Sequence, residues 1–227
     1  MTTVFLFYIK KKYRFWAFSR MALWPGRFAA VEGVSFSKLM GSGADEGFGF
    51  LPNFNIYALL LQWDNDADKT QFLKSNALLQ AYRDRSDHVL QLTAQSFKAH
   101  GSWGGLSPFQ QGEAMPNVPI MVLTRASITW SKALKFWKHV PLTAKAIQGA
   151  GEKILSIGVG ELPWVEQATI SIWPSEDAVK RFAYGQKDHL EAIRKTKELG
   201  WYKEELFARF SVIGMEGSWP GLEVVSY

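Results

Sequence analysis

Histidine is the residue type in this chain best suited to hold a transition metal, and His189 is the most distinctive of the four. On a helix, His189 falls on the core-facing stripe formed by Val179, Phe182, Gln186 and Ile193. An imidazole on a mostly apolar face needs a partner. Two interpretations stay open: a hydrogen bond inside the core, or a bond from the neutral Nε2 to iron, with the other ring nitrogen oriented by a carbonyl or a carboxylate.

The other three histidines have more ordinary explanations. His139 stands two residues before Pro141, which predicts a helix C-terminus, where the helix dipole favours an imidazolium. It is the second candidate for a metal ligand. His88 lies in a highly charged stretch and His100 precedes "GSWGG", so both are expected to be exposed or to bind local polar groups.

Composition narrows the chemistry further. The 227 residues include no cysteine, which excludes disulfides, thiolate nucleophiles, zinc–thiolate sites, iron–sulfur clusters and thiolate-bound haem. The sequence also lacks the serine-hydrolase elbow, the P-loop, the zinc-protease helix motif and the dinucleotide fingerprint. Its 10 Trp and 16 Phe suit a globular protein that lines a large apolar cavity, and no nucleic-acid partner is expected.

The sequence repeats itself. Residues 63–82 align with 173–192 at an offset of 110, and the matched aromatic pairs are Trp63 with Trp173 and Phe72 with Phe182. At the same offset the counterpart of His189 is Leu79. An imidazole therefore stands where the first half has an ordinary core residue.

Upstream, a second alignment runs between two glycine-containing stretches. Residues 33–43 match 151–160 at an offset of 117, which places Gly41 over Gly158 and Gly43 over Gly160. The difference of seven residues between the two offsets predicts a longer loop in the first half.

Each half is predicted to run strand, helix, strand, strand, helix, strand, the order of a ferredoxin-like unit. The strands that open the halves are expected at 3–9 and 119–130, and the helices that follow at 14–24 and 131–139. The fold class is thus α+β, with two tandem ferredoxin-like repeats and antiparallel sheets. The predicted first half is 1–105, the linker is 106–118 and the second half is 119–227.

Two such units can pack their sheets face to face or join them edge to edge in a barrel. Either arrangement leaves the helices outside. A flat apolar ligand would then fit between sheet and helix.

Several long strings of this chain resemble the spheroidene monooxygenase family. The likeness covers nearly the whole sequence, in "WAFSRMAL" (16–23), "SFSKLMGSGADEGF" (35–48), "PNFNIYALLLQW" (52–63), "VLTRASITWSKALKFWKHVP" (122–141), "IGVGELPWVEQATISIWPS" (157–175) and "GWYKEELFARFSVIG" (200–214). The resemblance implies a haem-dependent oxygenase that uses O2 and outside electrons, from a donor such as ferredoxin, to introduce keto or hydroxy groups at C-2 of acyclic carotenoids. It also implies a fold related to the dimeric α/β barrels, in which a helix carries the proximal histidine.

On this basis His189 is expected to bind the iron of haem b, with His139 as the alternative. Arg125 is expected to bind either the oxygen or a propionate, and four aromatic residues are expected to line a channel for the polyene: Phe136, Trp137, Trp164 and Trp173. Two other functions stay open, a haem-dependent dehydratase of the aldoxime type and a non-enzymatic haem or carotenoid carrier. A homo-oligomer fits the fold family.

No apolar run approaches the roughly 20 residues that span a bilayer. The start of the sequence places an apolar stretch before a basic cluster, the reverse of a secretory signal, so a cytoplasmic location is expected. A carotenoid dissolves in membranes, which implies a peripheral contact on the inner face. Lys10, Lys11, Lys12 and Arg14 are predicted to make this contact, flanked by aromatic rings at positions 5, 7, 15 and 16.

Overall fold

The computed structural model describes residues 1–44, 51–132, 151–185 and 201–222. Its eight strands are β1 (Thr2–Ile9), β2 (Val34–Gly43), β3 (Pro52–Trp63), β4 (Ser86–Gly101), β5 (Ile120–Ile128), β6 (Leu155–Leu162), β7 (Glu166–Trp173) and β8 (Tyr202–Gly217). The described α-helices are α1 (Arg14–Leu23), α2 (Pro25–Ala29), α3 (Asp66–Ser75), α4 (Ala77–Asp84) and α5 (Glu176–Gly185). Short 3-10 helices occupy Lys11–Tyr13 and Trp130–Lys132.

The strands close into one antiparallel barrel in the order β1-β3-β2-β6-β7-β5-β8-β4. The mixed helix and strand class, the antiparallel pairing and the edge-to-edge barrel predicted as one of two arrangements are confirmed. Within each half the strand order is fourth, first, third, second. The halves join where β2 meets β6 and where β4 meets β8.

The aromatic pairs predicted from the 110-residue offset are present. Trp63 ends β3 and its ring centroid lies 5.2 Å from that of Phe72. Trp173 ends β7 and lies 4.9 Å from Phe182. The two strand-to-helix corners are therefore built in the same way.

The glycine alignment is wrong by two residues. Gly41 pairs with Tyr57 and Gly160 pairs with Gln167, and these two partners are 110 residues apart. Gly41 therefore corresponds to Gly160, not to Gly158, and the two glycines face each other across the β2–β6 junction. The offset for β2 and β6 is therefore 119 and not 117, so the connection between Gly41 and Tyr57 is nine residues longer than the one between Gly160 and Gln167 (119 − 110).

The second helix of the first half is two helices. Asn76 has an extended backbone, which ends α3, and its Oδ1 accepts hydrogen bonds from Leu78 N (2.9 Å) and Leu79 N (3.1 Å), which begins α4. Leu79 is a core residue, 1% exposed, as predicted. Its sequence counterpart His189 lies outside the described residues, as do positions 133–139 of the predicted first helix of the second half.

Side chains alternate between the two faces of each strand, so the barrel has an inner and an outer face. The inner face is filled by apolar residues, among them Val4, Leu6, Met40, Leu60, Leu92, Met121, Leu123, Ile170, Ala208 and Phe210. This packing excludes a large ligand from the barrel interior. In the first half the outer face packs against α1, α3 and α4.

One prediction about the surface is wrong. Phe5 and Phe7 were expected beside the basic cluster at a membrane, but both are 0% exposed on the outer face of β1, and Trp16 is half-buried. Phe15 alone among these rings is exposed. The described residues include no helix long and apolar enough to cross a bilayer.

Candidate functional site

The outer face of the second-half sheet carries small side chains where the first half carries large ones. Phe5 pairs with Leu59, and Thr124 pairs with Thr169. Leu59 and Thr169 are 110 residues apart, so Thr124 is the counterpart of Phe5. The same reasoning from strand register gives five pairs: Phe5 and Thr124, Phe7 and Ala126, Leu59 and Thr169, Leu61 and Ser171, Leu39 and Gly158.

We call Thr124, Ala126, Gly158, Thr169 and Ser171 the small-residue face. Their first-half counterparts are at most 3% exposed and belong to one apolar cluster. By contrast Thr124 is exposed, and Ala126 and Thr169 are half-buried. The side chains that fill the space between sheet and helices in the first half are thus absent from these strands in the second.

Aromatic rings border the small-residue face. Trp173 is 3% exposed, and its Nε1 donates to Ser171 Oγ at 2.9 Å. It packs in an outer cluster with residues from β4, β5 and α5, namely Phe97, Ile120, Val122, Ala178 and Val179, against which Phe182 and Phe207 also pack. This cluster fixes α5 at one end of the face.

Two polar side chains that the sequence did not single out as site residues lie on the same side of the sheet. Arg209 is buried, and its Nη1 donates to Glu176 Oε1 at 3.0 Å while its Nε is buried without a hydrogen-bond partner among the described residues. Its guanidinium lies 5.4 Å from the Phe207 ring centroid. His100 stacks on the same Phe207 ring, with 5.3 Å between the centroids. Residue type alone could not have found them, because their position depends on the β4–β8 register.

These features suit a flat apolar group with an acidic edge. The small side chains leave space above the outer face of the sheet, and the rings of Phe207 and Trp173 border that space. The unpartnered N–H of Arg209 can bind an anion. Haem, an apolar macrocycle with two propionates, has this chemistry. The residues present therefore fit the cofactor that the family resemblance implies.

Arg125 lies elsewhere. It is on the inner face of β5, the opposite side from Thr124, and its guanidinium hydrogen bonds to the carboxylates of Glu166 and Glu204. Ser127 Oγ donates to the same Glu166 at 2.7 Å. The predicted role of Arg125 toward oxygen or a propionate stays a prediction, and the structure does not bring this residue together with Trp173.

Glu204 anchors a turn at this end of the barrel. Ser102 Oγ and Gly105 N donate to its Oε1 at 2.7 Å, and Gly104 N donates to Oε2 at 3.0 Å. Burial raises the pKa of the Glu204 carboxyl, but the hydrogen bonds from these groups and from Arg125 outweigh it and lower the pKa to about 2. The carboxylate is therefore held ionised.

Trp103 closes the same end. Its indole lies over Arg125, 5.6 Å from the guanidinium carbon, and its Nε1 donates to Glu161 Oε2 at 2.5 Å. Lys38 Nζ binds the other oxygen of Glu161 at 2.7 Å. Every charge in this cluster has a partner, which favours a structural role over a catalytic one.

The turn that carries Trp103 occurs twice. "GSWGGL" at 101–106 follows β4 and "GSWPGL" at 217–222 follows β8, and each forms a backbone bridge, Trp103 with Leu106 and Trp219 with Leu222. The first copy was expected at the end of the first half, next to the linker that begins at residue 106, and its second copy was not recognised. The match of five residues out of six at an offset of 116 is the signal that would have revealed it.

The remaining predicted site residues divide between described and undescribed parts of the chain. Trp164 lies in the turn between β6 and β7 with a left-handed backbone, φ 67°. His88 Nδ1 lies 3.1 Å from Ser218 Oγ, a local polar contact of the expected kind. Four candidates lie outside the described residues: Phe136, Trp137, His139 and His189.

Comparison with known proteins supplies the family. The chain is 38% identical over 209 residues to spheroidene monooxygenase of Rhodobacter capsulatus, spanning 91% of this chain and 87% of that protein. The chain belongs to the spheroidene monooxygenase family. The corresponding protein of Rubrivivax gelatinosus is 30% identical over 92% of this chain and 80% of its own. As a member of the spheroidene monooxygenase family, this chain is an oxidoreductase, and the resemblance found in the sequence is confirmed.

A scan against family models gave no match. Among solved structures, two of aldoxime dehydratase superpose with TM-scores of 0.58 and 0.57 at 13% identity, and each alignment covers 93% of this chain. The alignments cover 80% of the first aldoxime dehydratase chain and 78% of the second, and the second structure is a complex with butyraldoxime. At this identity the likeness shows that this member of the spheroidene monooxygenase family shares their fold.

Proposed function

We propose that this protein is a haem-dependent monooxygenase that acts on an acyclic carotenoid. The small-residue face is the observation that carries the proposal, in a chain whose relatives are named spheroidene monooxygenase. In such a reaction one atom of O2 enters the substrate and the other leaves as water. Two electrons and two protons must come from outside, so a donor such as ferredoxin is required.

The residues of the small-residue face would hold haem b against β5, β6 and β7. Arg209 would bind a propionate through its unpartnered Nε, with Phe207 beside the ring. We assign His189 as the iron ligand, with His139 as the alternative, because the repeat replaces the core residue Leu79 by an imidazole there. Bound haem would supply the iron at which O2 is activated.

The chain's own residues would then exclude water and guide the substrate. Trp173 walls the small-residue face, and Trp164 marks the turn at the far end of β7. With Phe136 and Trp137 they form the proposed lining for a long apolar polyene. Which acyclic carotenoid enters depends on the dimensions of that lining.

The halves are proposed to be tandem ferredoxin-like units. Support comes from the shared strand order and from the matching Trp63 and Trp173 corners. Within the family of dimeric α/β barrels, one chain with two units would provide the barrel that two chains build elsewhere. A homo-oligomer of such barrels is part of the proposal.

The test is an absorption spectrum of the purified protein reconstituted with haem, taken oxidised, reduced and reduced with carbon monoxide, followed by turnover. We expect a Soret band, a carbon monoxide complex of the histidine-ligated type, and oxygen from ¹⁸O2 in the carotenoid product. Absence of a Soret band would overturn the haem assignment. Conversion that proceeds without O2 would overturn the monooxygenase assignment.

A further inference from the structure

Helix α1 presents an apolar surface to solvent. Phe15 is 83% exposed, Leu23 60% and Phe18 53%, and Ala22 between them is exposed. Helical geometry puts these four residues on the side opposite Ala17, which is buried in the outer cluster of the first half. Surface helices of globular proteins normally turn polar residues to solvent. We call the four exposed residues the α1 apolar face.

The α1 apolar face continues onto β3. The ring of Phe18 packs edge-on against Phe54, with 5.5 Å between centroids, and Phe54 is itself exposed at the start of the strand. Leu51, immediately before β3, is also exposed. The apolar surface is therefore contiguous over two elements, which distinguishes it from scattered exposed residues.

The charged side chains of α1 avoid this face. Arg14 donates to Asn55 Oδ1, on the flank of the helix. Arg20 lies over the rings of Trp16 and Trp24, with 5.4 and 5.2 Å to the centroids. Both guanidinium groups are turned toward the protein, so the exposed side of α1 has no charge of its own.

A basic rim flanks the α1 apolar face at the two ends of the helix. Residues 1–31 contain no Asp or Glu but six basic residues, Lys10, Lys11, Lys12, Arg14, Arg20 and Arg27. Lys11 and Lys12 are exposed in the turn before Phe15, and Arg27 is exposed on α2. Lys10 is less available, because its Nζ donates to Asp84 O at 2.9 Å.

We propose that the α1 apolar face docks on an anionic lipid bilayer. Phe15, Phe18 and Leu23 would enter the headgroup region, and the basic rim would lie over the anionic headgroups. The positive charge of the rim favours an anionic bilayer over a second copy of the chain. A two-fold contact between two copies through this face would bring two basic rims together, and they would repel each other. The surface does not depend on the identity of the substrate.

Sedimentation of the full chain with vesicles tests the proposal. At low salt we expect binding to vesicles of phosphatidylglycerol and phosphatidylcholine, and at least tenfold weaker binding to phosphatidylcholine alone. F15S with L23S should weaken binding to the anionic vesicles at least tenfold, and K11E with K12E should do the same. Rising salt should release the parent protein.

Matched control variants distinguish binding through the α1 apolar face from nonspecific hydrophobic binding and from an effect of net charge. Leu106 is exposed on a turn of the barrel end, so L106S should bind as the parent does. K74E with K98E changes charge equally at exposed positions elsewhere and should reduce binding far less than K11E with K12E. Circular dichroism checks that each variant folds.

The proposal is overturned if the parent protein fails to bind anionic vesicles at low salt. It is also overturned if F15S with L23S sediments as the parent does. A third contrary result is that the two control variants lose as much binding as the test variants. A concentration-dependent dimer that F15S with L23S abolishes would assign the surface to a second copy. Vesicle binding is measured without haem or carotenoid, so the two proposals are tested independently. A failure to bind vesicles does not contradict the proposed oxygenase function, and a failure to bind haem does not contradict membrane docking.

Discussion

Gly101 and Gly217 end the two strands through which the barrel closes, 116 residues apart, and both have a left-handed backbone, with φ of 86° and 100°. A Cβ on Gly101 would lie 2.1 Å from Glu205 O, and one on Gly217 would lie 2.1 Å from Val89 O. Each carbonyl accepts a hydrogen bond from the serine that follows, at 2.9 and 2.8 Å. The two ends of the barrel are thus closed by the same turn.

Gly101→Ala and Gly217→Ala should each destabilise the protein by about 3 kcal/mol or more, because backbone strain adds to a clash with a carbonyl. Gly104→Ala and Gly221→Ala are the controls: both glycines have positive φ, but a Cβ on either meets nothing within 4 Å. Those variants should lose only about 1 kcal/mol, from backbone strain alone. Urea unfolding measures the difference, and equal losses in all four variants would show that the carbonyl contact is unimportant.

The described strands that open the two halves and the matched strand-to-helix corners could be predicted from sequence because both depend on local patterns. Runs of consecutive aliphatic and aromatic residues mark β1, a run of aliphatic residues marks the start of β5, and Trp63 and Trp173 mark strand ends. Register could not be predicted, since bulges such as the one after Gly41 leave no sequence signature. The break at Asn76 was also missed, although asparagine is a strong helix N-cap.

Acid should reveal the ion pairs of Glu204. Its pKa falls from an ordinary 4.5 to about 2 in the folded protein, so the stability it contributes is present above pH 4.5 and is lost as the pH falls toward 2. A shift of this size sets an upper limit of about 3.4 kcal/mol, and solvent screening of this partly exposed carboxylate makes its contribution smaller. Glu204→Gln should flatten the dependence of unfolding free energy on pH in that window.

Glu205→Gln is the matched control for this measurement. Glu205 is the exposed neighbour on the opposite face of β8, so its substitution should leave the acid profile close to that of the parent. Denaturant titrations at pH 2.5, 3.5, 4.5 and 6 supply the comparison. An acid profile unchanged by Glu204→Gln would contradict the assigned hydrogen-bond network.

Histidine substitutions test the proposed iron ligand. His189→Ala should abolish the Soret band of the reconstituted protein, whereas His88→Ala should retain it, since the ring of His88 is in contact with Ser218 Oγ. His139→Ala distinguishes the alternative ligand. If His139→Ala loses the band and His189→Ala keeps it, the assignment moves to His139.

The candidate site was only partly predictable for a physical reason. The apolar stripe on which His189 falls is a local pattern. The small-residue face, by contrast, combines side chains from three strands, and no single stretch of the sequence shows it. The orientation of Arg125 could not be predicted from its residue type either. Its residue type suits an anion, yet the pleat turns it inward to two carboxylates.

Refilling the small-residue face tests the proposed cofactor position directly. Ala126→Phe restores the residue that Phe7 provides in the first half, and Thr124→Phe restores that of Phe5. If the face holds haem, both variants should fold, because the same sheet position accommodates phenylalanine in β1, yet each should reduce haem affinity at least tenfold. Titration of haem into the purified protein, followed at the Soret band, measures this loss.

Thr93→Phe, at a half-buried position of β4 in the first half, controls for added bulk. Haem affinity in Ala126→Phe and Thr124→Phe equal to that of the parent would place the cofactor away from these strands.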